Sequence, residues 1–328
     1  MKLCFVIPVY NEKETLRTLT DAILKHVGSH DFRIVFVDDG SNDGSWDIMK
    51  SLRQEHPQID IIRLRRNFGK SQALSVGFHQ AYGDIIFMMD ADLQDEPAEI
   101  PRFLEKMEEG YDVVCGWKKN RLDPWHKTFP SRIYNRMISR LFKLELHDIN
   151  TGFKAFRGEI VRKLPLYGEM HRLVAVFADH LGYKVTEIPV SHQPRRFGKS
   201  KFGMERFTRG AADVVTAWFL RRYGETPAHL FAATAFFTGV LGGFGILSVL
   251  SVALHTLIMQ EVMPPQVRLT FFTLLLILFV ICLLLVIFGF LGMGVGLVSQ
   301  LLIHRLPLMT PTDYIHEEAC GQSTEDDS

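Results

Sequence analysis

The chain has 328 residues, and 37 Lys and Arg residues balance 37 Asp and Glu residues, so its formal net charge is zero. It is 47% apolar and 23% charged, which is typical of an ordinary globular protein. This composition excludes a disordered chain, a collagen and a polybasic nucleic-acid binder, so no nucleic-acid partner is expected. The length predicts about two domains.

The first 120 residues alternate between strand and helix signals. In chain order, short apolar runs predict strands at 3–7, 32–37, 59–64, 84–89 and 112–116, and helical spacing of apolar residues predicts helices at 12–27, 44–55, 71–81 and 97–109. Repeated units of this kind predict an α/β domain on a mostly parallel sheet with helices on both faces. Residues 121–200 are expected to be more irregular, with a candidate strand between 179 and 190.

Acidic residues follow two of the predicted strands. Asp38 and Asp39 follow the second strand, and the segment DADLQD at 90–95 follows the fourth. Ligands of parallel sheets bind beyond the carboxyl ends of the strands. Alternate carboxylates at such an end suit Mg²⁺ or Mn²⁺ bound together with substrate phosphates. Without further context the pattern is weak, because most acidic loops are only solvated.

Other short motifs exclude several kinds of site. Gly69-Lys70-Ser71 resembles the end of a phosphate-binding P-loop, but the first glycine that such a loop needs would fall at Leu64. The four cysteines are far apart and show no metal-ligand spacing, so neither a zinc site nor a disulfide framework is expected. The N-terminus has no pattern of a signal peptide, and the first domain is expected to remain cytoplasmic.

Two long uncharged segments lie in the last third of the chain. Residues 226–260 and 269–304 carry no charged side chain, and each exceeds the roughly 20 residues that span a bilayer. We predict a transmembrane hairpin over 226–304, with helices at about 229–259 and 269–303. Arginines flank both ends of the hairpin, which places both termini in the cytoplasm by the positive-inside rule. In a bacterium the membrane would be the plasma (inner) membrane.

The segments beside the hairpin complete the predicted organisation. Residues 1–203 are expected to form one folded domain that is large enough to be catalytic. Residues 204–225 mix apolar and basic positions, which is typical of an amphipathic helix that lies in the headgroup plane of a membrane. A core helix of the first domain is the alternative for 204–225. The tail, 305–328, is acidic and is expected to be disordered and cytoplasmic.

Small residues in the hairpin repeat at the G-x-x-x-G spacing. Gly239 and Gly243 form one such pair, and Gly292 and Gly296 form another. This spacing lets helices approach closely, within one chain or between chains. A homo-oligomer through the hairpin is therefore one possibility, and the general abundance of glycine in membrane helices is the other.

Several ordered motifs resemble one known family. They are MKLCFVIPVYNE (1–12), IVFVDDGSNDGS (34–45), NFGKSQALSVGF (67–78) and MMDADLQDEPAEIP (88–101), and later SRIYN (131–135), DINTGFKAF (148–156) and RRFGKSKFG (195–203). Together they resemble glycosyltransferase family 2, which has the GT-A fold. With a hairpin behind them, they resemble its polyprenyl-phosphate glycosyltransferases, the group of dolichol-phosphate mannose synthase and bactoprenol glucosyltransferase.

The resemblance implies roles for matching residues. The nucleotide sugar would be bound by Pro8, Tyr10, Glu12, Asp39, Asp90 and Lys118. The metal, Mg²⁺ or Mn²⁺, would be held by Asp90, Asp92 and Gln94. The acceptor phosphate would be bound by Arg121, Arg132, Arg195, Ser200 and Lys201. The residues expected to carry catalysis are Asp92, Arg132, Arg195 and Lys201.

One departure from the family pattern concerns Lys118. Relatives often have arginine there, and a lysine offers a point charge instead of a bidentate fork. Arg121 lies close by in sequence and is the candidate to substitute for it.

A lipid phosphate acceptor also defines the expected chemistry. A monoester phosphate has a second pKa of about 6, so it is largely a dianion at neutral pH and needs little help from a general base. Asp92 is therefore interpreted as a metal organiser. The resemblance implies inversion at the anomeric carbon, in which the phosphate displaces the nucleoside diphosphate. Basic side chains would offset the repulsion between the two anionic groups.

Two alternatives remain open. A processive polysaccharide synthase usually carries a Q-x-x-R-W motif and more membrane helices, whereas this chain has Gln193-Pro194-Arg195-Arg196-Phe197 and one hairpin. A non-catalytic scaffold that binds sugar nucleotides, or a flippase partner, is the other. The intact acidic and basic motifs favour the enzyme. The sequence does not name the sugar, the base or the lipid length.

Overall fold

The computed structural model describes residues 1–119, 125–164, 166, 168–191, 193, 214–219, 221–223, 227–258, 264–305 and 315–319. The chain divides into two compact units. One comprises Met1–Trp218 together with Met309–Ser328, and the other comprises Phe219–Leu308.

The first unit is built on an eight-stranded sheet. Its strands are β1 (Lys2–Val9), β2 (Asp31–Asp38), β3 (Ile59–Leu64), β4 (Ile85–Met88), β5 (Val113–Trp117), β6 (Lys154–Arg157), β7 (Val185–Pro189) and β8 (Ile315–Ala319). The order across the sheet is β7-β5-β6-β4-β1-β2-β3-β8. Four neighbouring pairs are parallel, and the pairs that involve β6 or β8 are antiparallel. The expected mostly parallel α/β sheet is confirmed.

Helices connect most of these strands. They are α1 (Leu16–His26), α2 (Ser45–Glu55), α3 (Lys70–Gln80), α4 (Ile100–Glu108), α5 (Trp125–Phe142), α6 (Gly158–Val161) and α7 (Val174–His180), with 3₁₀ turns at Pro97–Glu99 and Met170–Arg172. In α1, Leu16, Leu19 and Ile23 recur at helical spacing and are buried. The amphipathic pattern that predicts this helix is therefore also what attaches it to the sheet.

An aromatic cluster fills one side of the sheet. Phe87 of β4 stacks on Phe5 of β1 with ring centroids 5.0 Å apart, and it meets Phe103 of α4 edge to face at 5.9 Å. Phe153, just before β6, lies 4.3 Å from Phe103. These contacts pack the central strands β1 and β4 against α4.

The expectation of irregular structure across 121–200 is wrong for much of that region. Helix α5 has 18 residues, and β6 inserts between β4 and β5. Within the candidate strand range of 179–190, the strand is β7 (Val185–Pro189), because α7 continues to His180. β6 has only four residues, too short for a periodic signal.

The expectation of a disordered tail is wrong for residues 315–319. They form β8, which pairs antiparallel with β3 and places Ala319 opposite Ile61 and Glu317 opposite Arg63. Without this pairing, β3 would be an edge strand with unpaired backbone groups. The acidic composition of the tail gives no indication that part of it pairs with the backbone of β3, which is distant in sequence.

The second unit contains two apolar helices, α8 (Pro227–Ile258) and α9 (Pro265–Arg305). The windows Phe231–Ile258 and Val267–Gly296 are long and apolar enough to cross a membrane, and only 11% of each window is buried. Core helices of soluble proteins are mostly buried, so these exposed apolar surfaces support the predicted spans.

Glycines bring the two long helices together, but not all of the predicted ones do. A β-carbon added at Gly242 would lie 2.7 Å from the Cys282 carbonyl oxygen, and one at Gly289 would lie 2.9 Å from the Ala235 carbonyl oxygen. Gly296 likewise packs against Phe231. In contrast, β-carbons added at Gly239, Gly243 and Gly292 would have nothing within 4 Å. Of the predicted G-x-x-x-G residues, only Gly296 serves close packing within the hairpin.

Within the predicted juxtamembrane segment, residues 214–219 and 221–223 are helical. Val214 and Ala217 are buried, whereas Val215 and Trp218 are exposed. Its position in the headgroup plane stays a prediction.

Candidate active site

The carboxyl ends of three neighbouring parallel strands bring the predicted donor-site residues to one edge of the sheet. Val9 at the end of β1 pairs with Asp38 at the end of β2, and the Asp39 amide donates to the Val9 carbonyl at 2.8 Å. On the other side of β1, the Met89 amide donates to the Val6 carbonyl at 3.2 Å. The loops that follow β1, β2 and β4 therefore emerge side by side.

The loops after β1 and β2 are tied together by hydrogen bonds. The Asn11 amide donates to Ser41 Oγ at 2.9 Å, and the Asn42 amide donates to Asn11 Oδ1 at 2.9 Å. The Glu12 amide donates to Ser45 Oγ at 2.9 Å. Pro8 and Glu12 are half-buried here, and Tyr10 is exposed. This mutual anchoring forms a fixed wall beside Asp39.

Asp39 is buried and organises the loop that precedes α3. Its two carboxylate oxygens accept hydrogen bonds from the amides of Phe68 at 2.7 Å and Gly69 at 2.9 Å. Burial raises the pKa of Asp39 to about 6, although these two amides act to lower it. The next residue, Gly40, has φ of +74°, and a β-carbon there would lie 2.7 Å from the Arg66 carbonyl carbon. Only glycine fits this close approach.

Asp90 lies at the centre of a group of lysines. Its carboxylate is paired with Lys70 Nζ, from the first turn of α3. Burial acts to raise the pKa of Asp90, but Lys70, Lys118 and Lys154 hold the pKa below its usual range. Asp90 therefore remains a carboxylate. A β-carbon at Gly152 would lie 2.6 Å from the Asp90 carboxyl carbon, so this segment approaches as closely as its lack of a side chain allows.

The rest of the acidic loop turns tightly after β4. Asp92 is buried, and its Oδ1 accepts a hydrogen bond from the Gln94 amide at 3.2 Å. Leu93 between them has φ of +59°. Asp95 has no exposed side-chain surface, and Lys118 Nζ lies 2.8 Å from its Oδ1. Burial acts to lower the pKa of Lys118, but Asp95, Asp90 and Asp92 raise it above its usual value.

Lys154 is a buried lysine in β6. Its Nζ donates to the carbonyl of Thr151, and the side chain has no exposed surface. Burial lowers the pKa of Lys154, and the positive charge of Lys70 acts in the same direction. Lys154 thus places a third basic group beneath the acidic loop.

A buried polar network supports the first turn of α3. Ser71 Oγ and His171 Nδ1 are 2.8 Å apart, and the His171 amide donates to Ser71 Oγ at 3.2 Å. Arg172 pairs with Glu169 in the same segment. Because Lys70 adjoins Ser71, this network positions the lysine that holds Asp90.

The structure describes the predicted donor and metal residues better than the acceptor residues. The predicted residues at this edge lie near the end of β1 or in the loops that follow β1, β2, β4 and β5. They are Pro8, Tyr10, Glu12, Asp39, Asp90, Asp92, Gln94 and Lys118. Arg132 lies in α5, with its side chain outside the described part. Arg121, Arg195, Ser200 and Lys201 lie outside the described residues, so their predicted roles stay predictions.

Sequence reasoning assigned no site role to Lys70, Asp95, Gly152 and Lys154. Lys70 belongs to the Gly69-Lys70-Ser71 segment, which resembles the end of a P-loop. This resemblance was the one sequence signal that could have indicated a site role for Lys70. Lys154 lies in a region where no strand was predicted, and its sequence context gives no indication that its side chain lies below a carboxylate.

The carboxylates at this edge of the sheet fit a magnesium or manganese ion whose remaining ligands are supplied by the substrate. Among the described residues, there is no cluster of three or more His, Cys, Asp or Glu side chains able to hold a metal alone. Mg²⁺ is commonly held by one or two carboxylates together with phosphate oxygens. Asp90 and Asp92, both at the end of β4, provide two such carboxylates.

Comparisons with known proteins agree with this arrangement. Residues 4–165 match the model of glycosyl transferase family 2. The chain is 32% identical over 248 residues to a dodecaprenyl-phosphate galacturonate synthase of Rhizobium johnstonii, covering 74% of this chain and 73% of that protein. It is 35% identical over 264 residues to an undecaprenyl-phosphate 4-deoxy-4-formamido-L-arabinose transferase of Serratia proteamaculans, covering 79% and 78%.

The fold has a counterpart among solved structures. Glucosyl-3-phosphoglycerate synthase from Mycobacterium tuberculosis superimposes with a TM-score of 0.50 at 19% identity, covering 67% of this chain and 79% of that one. This likeness confirms the expected GT-A type of α/β fold. The family match and the two relatives above 30% identity show that the chain belongs to glycosyl transferase family 2.

Proposed function

We propose that this protein is a membrane-bound inverting glycosyltransferase that moves a sugar from a UDP- or GDP-sugar to a polyprenyl phosphate, such as undecaprenyl or dolichyl phosphate. The product would serve the synthesis of cell-surface glycans or glycoconjugates. The observation that carries the proposal is the Asp90–Asp92 loop, surrounded by Lys70, Lys118 and Lys154, in a chain that also has two exposed apolar helices. Relatives named as polyprenyl-phosphate sugar transferases support the acceptor class.

The nucleotide sugar is proposed to bind across the carboxyl ends of β1, β2 and β4. Pro8, Tyr10, Glu12 and Asp39 would receive the base and ribose, where the loops are already fixed by their own hydrogen bonds. A rigid site of this kind reduces the entropy lost on binding. The diphosphate would then extend from Asp39 toward Asp90 and Lys118.

Asp90, Asp92 and Gln94 are the proposed ligands of Mg²⁺ or Mn²⁺. The ion would supply positive charge to the diphosphate of the donor. Lys70 already neutralises Asp90, so donor and ion would have to share this carboxylate with the lysine. Lys118 neutralises Asp95 and leaves Asp90 and Asp92 as the two carboxylates facing the diphosphate.

The acceptor phosphate is proposed to be bound by Arg121, Arg132, Arg195, Ser200 and Lys201. A lipid phosphate dianion is itself a nucleophile, so none of the carboxylates is required as a base. One of its oxygens forms the bond to the anomeric carbon as the bond to the departing diphosphate breaks. The configuration inverts, and the lysines and arginines stabilise both anions.

The exposed apolar helices support an integral membrane protein. We propose that the catalytic domain and both termini are cytoplasmic, where nucleotide sugars and the phosphate end of a lipid meet. Arg221 and Arg222 before α8 and Arg305 at the end of α9 support this orientation. Gly239 and Gly243, open in the hairpin, are available for packing against another copy.

A donor screen tests the proposed function. Full-length protein in detergent with MgCl₂ or MnCl₂ would be given undecaprenyl phosphate and, in turn, UDP-glucose, UDP-galactose, UDP-galacturonate, UDP-N-acetylglucosamine and GDP-mannose. We expect at least one donor to release its nucleoside diphosphate and to form a lipid-linked sugar. Undecaprenol in place of its phosphate is expected to give no product.

Two outcomes would contradict the proposal. Absence of turnover with every donor, in protein that still binds UDP or GDP, would favour a non-catalytic scaffold. Equal rates with undecaprenol and undecaprenyl phosphate would exclude the phosphate as the nucleophile.

A further inference from the structure

Arg63 lies near the carboxyl end of β3, next to the end of β2. In the sheet register it is opposite Asp38, the last residue of β2. Its Nε lies 3.3 Å from Asp38 Oδ2, and the Asp38 side chain is fully buried. Among the described residues, Asp38 Oδ2 accepts no hydrogen bond, so the charge of Arg63 is what compensates this buried oxygen.

Two further contacts of Arg63 support the wall that the loops after β1 and β2 form. Its Nη2 donates to the Ser41 carbonyl at 3.3 Å, and Ser41 Oγ accepts a hydrogen bond from an amide of the loop after β1. The guanidinium of Arg63 also lies 5.5 Å from the centre of the Trp46 ring. Trp46 follows Ser45, whose Oγ accepts from a second amide of that loop. Arg63 therefore supports both of the serines that fix the loop after β1.

The tail strand β8 holds the other side of Arg63. β8 pairs with β3 so that Glu317 lies opposite Arg63 and Ile315 lies opposite Leu64. His316 is thus an extra residue in β8, and the register shifts between Arg63 and Leu64. A bulge of this kind bends a strand pair and increases its twist locally. The backbone of Arg63 is therefore fixed from both sides, by β2 and by β8.

We propose that Arg63 is a positioning residue for binding of the nucleotide sugar, and that the tail strand β8 supports this binding by holding Arg63. The inference rests on the proposed donor site and extends it to the far end of the chain. Arg63 acts through Ser41 and Trp46, so its loss frees the wall to move while Asp39 stays in place. A chain with β8 paired then binds the donor more tightly than a chain without it, because a rigid site loses less entropy on binding.

Nucleotide affinity measures this role without lipid or turnover. Full-length protein in nanodiscs with MnCl₂ would be titrated calorimetrically with UDP and with GDP. For the nucleotide that binds, we expect Arg63→Met to raise the Kd about fivefold, as for one lost hydrogen bond. Arg63→Lys retains the charge beside Asp38 but not the planar fork, and it is expected to recover part of the affinity. In turnover with the preferred donor, the KM should rise by the same factor while kcat changes by less than about twofold.

Arg33 provides a matched control for the loss of an ion pair. Arg33 of β2 pairs with the buried Asp60 of β3 at 2.6 Å, and its side chain is 33% exposed, close to the 32% of Arg63. It lies near the beginning of β2, away from the loop that follows this strand. Arg33→Met is therefore expected to lower the thermal midpoint without changing the Kd for the nucleotide. If Arg63→Met does not fold, its combination with Asp38→Asn removes both charges and is expected to show the same rise in Kd.

Truncation tests the contribution of the tail strand. A chain ended after residue 314 lacks β8, and a chain ended after residue 319 retains it. We expect the Kd for the nucleotide to rise about fivefold in the shorter chain, again as for one lost hydrogen bond, and to stay within about twofold in the longer one. Because β8 acts through Arg63, adding Arg63→Met to the shorter chain should raise the Kd no further.

Four results would overturn the inference. They are an unchanged Kd in folded Arg63→Met, an equal rise in Arg33→Met, unchanged binding by the chain that lacks β8, and additive losses for this truncation and Arg63→Met. Failure of both UDP and GDP to bind the unmodified protein would contradict the inference and the donor site together. Binding that depends on Arg63, in protein that transfers no sugar to lipid, would instead support the inference and contradict the proposed function.

Discussion

Asp92 is the residue on which the proposed metal role depends most. It is buried at the end of β4, and the Gln94 amide fixes its carboxylate. We expect Asp92→Ala to lower kcat by about a hundredfold or more, since charge stabilisation of the leaving diphosphate would be lost. Asp21→Ala, at an exposed position of α1, is the control and is expected to leave kcat unchanged. Steady-state rates with MnCl₂ measure both. Unchanged activity of Asp92→Ala in folded protein would refute the role.

The raised pKa of Asp39 predicts that binding of the nucleotide-sugar donor depends on pH. Its native pKa of about 6 means that the carboxylate acquires a proton as the pH falls through 6. One oxygen then ceases to accept from the Phe68 or Gly69 amide, so we expect affinity for the nucleotide sugar to fall between pH 7.5 and 5. Calorimetric titration measures it. Asp39→Asn is expected to bind weakly and with a flatter profile. A wild-type profile retained by this variant would contradict the assignment.

The raised pKa of Asp39 affects stability in the opposite direction: donor binding is expected to weaken as the pH falls, whereas the stability of the fold increases. The native pKa lies above the ordinary value of 3.8, so the folded protein holds more protons than the unfolded chain between about pH 4 and 6. The contribution of Asp39 to the free energy of unfolding is therefore greatest below that window and declines as the pH rises to 6. At neutral pH the buried Asp39 is ionised, which is the form that donor binding is expected to need, and this ionised form contributes less stability than the protonated one.

At the scale of elements, the sequence predicts buried strands better than short or distant ones. Leu3, Phe36 and Phe87 belong to continuous apolar runs, and their strands are predicted within two residues at either end. β6 has four residues and includes the buried Lys154, and β8 joins the sheet from the far end of the chain. Neither has a local period, because both are determined by pairing with distant strands.

The tail strand predicts the effect of truncation. A chain ended after residue 314 loses β8 and exposes the backbone of β3, whereas a chain ended after residue 319 retains the pairing. We expect the shorter chain to lose about 1–3 kcal/mol of stability and to aggregate more readily. Urea unfolding of the full-length, 319-residue and 314-residue chains provides the comparison. Equal midpoints for all three would show that β8 contributes nothing.

The hairpin offers a matched pair of glycines on α8. Ala at position 242 would meet the Cys282 carbonyl, whereas Ala at position 239 would meet nothing within 4 Å. We expect Gly242→Ala to destabilise the detergent-solubilised protein by about 1–3 kcal/mol through overpacking. Gly239→Ala is expected to preserve the thermal midpoint unless this face packs against a second copy. A larger loss for Gly239→Ala in the monomer would contradict the helix pairing.

At the scale of the whole molecule, the zero net charge is the sum over two units that differ strongly in composition. One unit carries nearly all the charge, and the other presents bare apolar helices. The acidic loop and the hairpin were predictable because each is contiguous in sequence. Of the lysines around Asp90, Lys118 was predicted, but Lys70 and Lys154 were not, because they come from α3 and β6 and meet the loop only when the sheet is assembled. Local motifs identify carboxylates, and the topology determines their counter-charges.

The central claim is that a single sugar is transferred to a lipid phosphate. Mass spectrometry of the lipid product, made from undecaprenyl phosphate and the preferred nucleotide sugar, tests this most directly. We predict one species, a polyprenyl monophosphate that carries a single sugar residue, with one nucleoside diphosphate released for each. A ladder of lipids with several sugars, or free sugar without a lipid product, would contradict it.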